Sequence, residues 1–163
     1  MDRLFWKNTK FELYHPLNEA ELETIIAHRY KEVFWEGYPD LQVLYFDIRK
    51  RIASKAKKIC VPDGILLLLG KSIDECRVLI IEFELADHPT NHIVSQLLQF
   101  KNAIENIISR KILIDAIVGE IAQNEKYRRT WNKQISNLPF YQGCTELFDR
   151  DIGIVLVADE VNE

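Results

Sequence analysis

Two short motifs place acids where apolar strands meet water. Pro62-Asp63 opens the run V-P-D-G-I-L-L-L-L-G, and Glu82-Phe83-Glu84 closes the run R-V-L-I-I-E-F-E-L nineteen residues after Asp63. Side chains alternate along a strand, so Val78, Ile80, Glu82 and Glu84 share one face. Asp63 is expected to start the neighbouring strand. An ionised carboxylate resists burial without a counter-charge, so three acids converging at strand ends call for a cation. Hard oxygen donors suit Mg²⁺ or Mn²⁺, ions that keep several waters of their own.

The elements that must position these acids can be read from periodicity. Asn18 is a preferred N-cap, and Glu21 three residues later completes a capping-box pattern. Leu22, Ile25, Ile26, Tyr30 and Val33 follow at helical spacing, and Gly37 and Pro39 stop the run. Strands are expected over Leu41–Ile48, Ile59–Leu69 and Arg77–Leu85, the last two joined at Gly70-Lys71-Ser72 by a hairpin turn or short loop. The Arg77–Leu85 strand is apolar on both faces, as a central strand should be. After a break at His88-Pro89-Thr90, Ile93, Leu97, Phe100, Ile104 and Ile107 mark a second amphipathic helix. Further helices are expected near Lys111–Gln123 and Lys126–Ser136, and D-I-G-I-V-L-V-A over Asp151–Ala158 closes as a strand. Phe5–Leu13 reads as an edge strand or as an arm that packs on a partner. The fold class is therefore α/β, with a central mixed β-sheet flanked by helices on both faces.

Composition narrows the class further. The chain has 163 residues, is 47% hydrophobic and carries a net charge of −4, which argues against bulk nonspecific nucleic-acid binding but not against a locally basic groove. One domain over residues 1–163 is expected, with no repeat or linker. Cys60, Cys76 and Cys144 are odd in number and lack CxxC spacing, which fits reduced thiols and a cytoplasmic setting. The first ten residues lack the apolar core of a signal peptide, and no apolar run reaches the roughly 20 residues of a membrane span.

The positive charge is local. Arg49, Lys50, Arg51, Lys55, Lys57 and Lys58 fall in a ten-residue stretch without an acid, just before Asp63. Lys and Arg contacts to phosphate supply most sequence-independent nucleic-acid affinity. A solvated turn is the bland reading, and the position beside the acids favours the functional one. The cluster Lys126, Arg128, Arg129 and Lys133 reads instead as an exposed helix face, and Trp6, Trp35 and Trp131 as core or interface residues. His88 and His92 are four apart, but Pro89 breaks a helix through both, so a zinc pair is not expected. His92 belongs in the first turn of the second helix, near phosphate or substrate. Gln96, about one turn on, faces the metal water or a base edge, or is simply a polar helix position.

The order helix, three strands, helix, strand, with Pro62-Asp63 on one strand and Glu82-x-Glu84 on the next, resembles the PD-(D/E)xK nuclease superfamily and its restriction-endonuclease-like fold (core order αβββαβ). Position 84 carries Glu where that family usually has Lys. A helical Glu is also usual there, matched by Glu23 with Glu21 close behind. Gln96-Leu-Leu-Gln-Phe100 resembles the Gln-x3-Tyr of some branches. The resemblance implies that Asp63, Glu82 and the main-chain carbonyl of Phe83 hold Mg²⁺ or Mn²⁺. It makes Asp63, Glu82, Glu84, Glu23 and Gln96 the catalytic set. Glu84 is then a general base or a ligand for a second ion, and Lys58 is a candidate for the missing lysine. The implied function is metal-dependent hydrolysis of DNA phosphodiesters, by an endonuclease rather than an exonuclease. A homodimer would pair two sites across a duplex. The alternative is a catalytically inactive nuclease-fold protein that serves as a nucleic-acid-binding or assembly module.

Overall fold

The computed structural model of the chain describes residues 3–6, 9–12, 16–35, 40–85, 89–136 and 138–159. The helix stop expected at Gly37 and Pro39 and the His88 side chain lie outside the described residues, as do the side chains of Trp6 and Trp35. At the N-terminus β1 (Arg3–Trp6) pairs antiparallel with β2 (Thr9–Glu12), so the described part of the segment expected as one edge strand or arm is two paired strands, Leu13 lying outside the described residues. Helix α1 (Glu19–Trp35) starts as its sequence dictates. Asn18 Oδ1 accepts from the Glu21 N–H at 3.0 Å, and the Glu21 carboxylate accepts from the Leu17 N–H at 2.7 Å. Leu22 and Ile26 bury the face that the spacing marks, but Val33, two turns beyond Ile26, is exposed.

Four strands make the main sheet. Strand β3 (Gln42–Phe46) is followed by a small hairpin, β4 (Ile52–Ala53) with β5 (Ile59–Cys60), and then by β6 (Gly64–Leu69) and β7 (Arg77–Glu84). Strands β3, β6 and β7 run antiparallel as a meander, and β8 (Ile152–Ala158) joins β7 in parallel, giving the order β3-β6-β7-β8. The fold is thus α/β with a mixed open sheet. Between β7 and β8 run α2 (Thr90–Ile104), α3 (Ile107–Gln123), α4 (Glu125–Gln134) and α5 (Phe140–Phe148). Ile107, assigned from its spacing to the second helix, instead opens α3, after Asn106 caps it by accepting from the Ile108 N–H. Among the described residues no helix is long and apolar enough to cross a membrane.

Both faces of the sheet are covered, which explains the unbroken Leu run of β6. Its six residues are all buried, alternating between two cores. Leu66 and Leu68 join Val43, Tyr45, Ile81 and Phe83 against Leu22 and Ile26 of α1. Ile65, Leu67 and Leu69 join Leu44, Phe46, Val78 and Ile80 against α2–α5, where Phe100, Leu113, Ile117, Trp131 and Phe148 pack. Each such aliphatic side chain contributes about 1.5–3 kcal/mol by burial. Trp131 is thereby a core residue, as expected.

The expected strand Ile59–Leu69 is divided in two. Ile59 and Cys60 pair with β4, and residues 61–63 lead the chain into the main sheet at Gly64. A polar clamp from the α2–α3 junction holds β4. The Ser109 hydroxyl, fully buried, accepts from the Ala53 N–H at 3.0 Å and donates to the Ala53 carbonyl at 2.8 Å, and Asn106 Nδ2 donates to the same carbonyl at 2.8 Å. Ser109→Ala is expected to lower stability by about 1–2 kcal/mol, because the Ala53 N–H then lacks its acceptor. Urea denaturation followed by Trp fluorescence measures this, and an unchanged midpoint would show that the clamp contributes nothing.

Candidate functional site

The acids meet because of strand register. Gly64 stands opposite Ile81 in the antiparallel β6–β7 pair, so one step further brings Asp63 opposite Glu82. Asp63 directly precedes β6 rather than lying in it, and its Oδ2 accepts from the Phe83 N–H at 2.9 Å. Its carboxyl is therefore held at the end of β7 by the main chain. Glu82 follows Val78 and Ile80 onto the α2 side, where Gln96 Nε2 donates to its Oε1 at 3.0 Å. Glu84, two residues on, is buried to 1% exposure, with His92 Nε2 of α2 at 4.0 Å from its Oε1.

Glu82 is 5% exposed, and its second oxygen, Oε2, has no hydrogen-bond partner among the described residues. Burial is the main cause that pushes its carboxyl up to about 9, with the charges of Asp63 and Glu84 adding to it. Asp63 is also raised, first by burial, against the opposing pull of the Phe83 N–H. The two carboxyls are close enough to share a proton. With both ionised, Glu82 Oε2 faces a like charge and no donor. One proton, or one cation, resolves that conflict.

Helix α1 supplies the other wall. Glu23 lies within electrostatic reach of Asp63, but its carboxylate is bonded to Arg49, which also donates from Nε to Asp47 Oδ1 at 3.2 Å. Arg49 is the cation whose charge bears on Asp63, whereas Lys58 sits on the exposed β4–β5 turn. Lys50, Arg51, Lys55 and Lys57 are likewise exposed. Tyr45 stacks on Tyr30 with ring centroids 5.7 Å apart, and its buried hydroxyl has no partner among the described residues. Its ionisation is suppressed by burial and by Glu23, Asp47 and Asp63. A Cβ on Gly64 would stand 2.7 Å from the Tyr45 ring, so only glycine after Asp63 admits that ring.

The structure therefore gathers Asp63, Glu82, Glu84, Glu23, Gln96, Arg49 and His92 at one end of the sheet. Sequence reasoning missed three neighbours. Tyr45 was visible only as a core strand residue. Cys60, whose thiol is pushed up to about 11 by burial and by Glu82, gave no signal because β5 was read as part of β6. Glu19, whose charge reaches Glu82, lies one helical turn before Glu23 and was detectable from that spacing.

The residues fit a hard divalent cation in part. Asp63 and Glu82 offer two adjacent carboxylates, one with an oxygen in need of a positive partner. Among the described residues no group of three or more His, Cys, Asp or Glu side chains is arranged to hold a metal ion. Any such ion would complete its shell with main-chain oxygen and water, as Mg²⁺ readily does. In comparisons with known proteins, no family matches the chain, and neither a curated protein nor a solved structure matches it.

The raised Glu82 carboxyl has a stability consequence. Between its ordinary value of 4.5 and about 9, the folded chain holds a proton that the unfolded chain has released. Stability contributed by that proton is complete below the ordinary value and is lost as pH rises through the window. Glu82→Gln is expected to raise the Tm by roughly 4–8 °C at pH 8, from about 2 kcal/mol, and to change it little at pH 4. Equal shifts at both pH values, read by scanning calorimetry, would show that Glu82 does not hold this proton.

Proposed function

We propose that the chain is a metal-dependent deoxyribonuclease of restriction-endonuclease-like architecture, acting on DNA as an endonuclease. The observation that carries this reading is the pairing of Asp63 with Glu82 across β6 and β7, with Gln96 bonded to Glu82 from the next helix. The element order supports it. Helix α1, the meander β3-β6-β7, helix α2 and a final strand parallel to β7 follow the αβββαβ order of the nuclease resemblance.

In this reading Asp63, Glu82 and the Phe83 carbonyl hold Mg²⁺ or Mn²⁺. The ion, when bound, supplies charge stabilisation on the phosphate and acidifies a water. The chain's own groups do the rest. The Phe83 N–H fixes the rotamer of Asp63, and the Gln96 amide fixes that of Glu82. Glu84 is the proton acceptor for the attacking water, with His92 at its side. Arg49, held by Glu23 and Asp47, supplies positive charge at the α1 wall in place of a lysine at position 84.

Glu84 also gives specific support to a second reading, a nuclease-fold module that binds nucleic acid or a partner without turnover. Position 84 carries a buried acidic side chain where the nuclease resemblance calls for a lysine. Incubation of supercoiled plasmid with Mg²⁺ or Mn²⁺ separates the two. Nicked or linear product is expected, with a rate lowered roughly 100-fold or more in Asp63→Ala and Glu82→Ala. Salt-dependent binding without cleavage favours the module, and absence of both at low salt rejects nuclease and binder together.

A further inference from the structure

The β4–β5 hairpin combines features that a solvated turn does not need. Residues 49–62 contain six Lys and Arg and no acid, in a chain whose net charge is −4. The turn is tight. The Ser54 N–H donates to the Lys58 carbonyl at 2.9 Å, the Lys57 N–H donates to the Ser54 carbonyl at 2.9 Å, and Lys57 itself adopts a left-handed φ of 60°. The base is clamped by Ser109 and Asn106, and Ile52 is buried in the main core. The hairpin is therefore a fixed projection, with Lys55, Lys57 and Lys58 presented to solvent at its tip.

Its outer face is partly aliphatic. Ile52 pairs with Cys60 and both turn inward, so the pleat sends Ile59 and, by alternation, Val61 to the other side. Ile59 is 58% exposed and Val61 38% exposed. Apolar side chains set among lysines on a rigid two-stranded ribbon match a surface with anionic rims around a floor that mixes polar edges with apolar methyl groups. Duplex DNA is such a surface, with phosphates flanking a groove floored by base edges. The hairpin holds no aromatic side chain, and aromatic platforms are what single-strand sites use to stack bases. The ribbon also abuts the acids. Cys60 lies within electrostatic reach of Glu82, and both hairpin strands pack on α2, the helix that carries Gln96.

We propose that the β4–β5 hairpin is a duplex-DNA grip. Lys55, Lys57 and Lys58 contact phosphates on either side of a groove, and Ile59 with Val61 enters it. The hairpin thereby sets one duplex strand over Asp63 and Glu82. The proposal rests on the DNA-directed reading above and names its substrate class as double-stranded.

The test separates the two by measuring binding without chemistry. Asp63→Ala protein in EDTA is titrated against a fluorescein-labelled duplex and the matching single strand, with anisotropy read across a salt series. Duplex is expected to bind at least about tenfold tighter than single strand. Adding Lys55→Gln, Lys57→Asn and Lys58→Gln, of which Asn tolerates the left-handed φ, should weaken duplex binding. It should also reduce the slope of log affinity against log salt by about 2–3. Ile59→Ser should weaken duplex binding several-fold with the salt slope unchanged. All four residues are exposed, and unaltered circular dichroism and Tm confirm that each variant folds. Equal affinity for both strands, an unchanged salt slope in the triple variant, or no binding at low salt overturns the proposal. Plasmid cleavage that persists when the three lysine substitutions are made with Asp63 intact overturns the grip and leaves the nuclease reading standing.

Discussion

Burial of a carboxylate governs the acidic end of the sheet. Glu82 continues the inward face of Val78 and Ile80, so the geometry that packs the core also carries an acid out of water. Nothing apolar can replace the solvation lost there. The local polar structure answers that demand. Gln96 donates to one oxygen, Asp63 lies close enough to share a proton, and the remaining oxygen is left in need of positive charge. The strain is confined to a strand end, where β6 begins and the chain has just left the hairpin.

The rest of the fold keeps that arrangement rigid. Strand β6 is covered on both faces, so a one-residue slip against β7 would move every Leu to the wrong core. Register is thus strongly specified, and with it the Asp63–Glu82 pairing. The excursion between β3 and β6 is fixed by different means. Its strands are only two residues each, and the α2–α3 junction holds them through side-chain hydrogen bonds to Ala53. One basic projection and one acidic cluster consequently share the helix α2 as a common support.

Much of the framework was legible from the chain. The cap at Asn18, the apolar runs of β6 and β7, the break before α2 and the closing strand all emerged where local pattern and tertiary role agree. Part of the acidic set was legible too, because strand alternation puts Glu82 and Glu84 on one face without knowledge of packing, whereas Glu23 and Gln96 joined the set only through the nuclease resemblance. Helix α5 was missed. It is short, and Gly143 near its middle weakens the helical signal. That glycine is there for a contact distant in sequence, since a Cβ would stand 2.4 Å from the Trp131 ring. The division of Ile59–Leu69 was missed because Ile59, Cys60 and Val61 are as apolar as the Leu run beyond them, and apolarity alone does not mark where a strand changes partner.

The sequence by itself determined the alternation that turns Glu82 inward, the local concentration of positive charge and the α/β order of elements. These are properties of neighbours along the chain. Only the tertiary structure decided that Asp63 stands opposite Glu82, that Arg49 rather than Lys58 is the cation bearing on Asp63, and that Glu82 Oε2 is left without a donor. Those outcomes depend on register between strands and on which helix covers the strand end. Both are set by the summed packing of two cores, which no local pattern encodes.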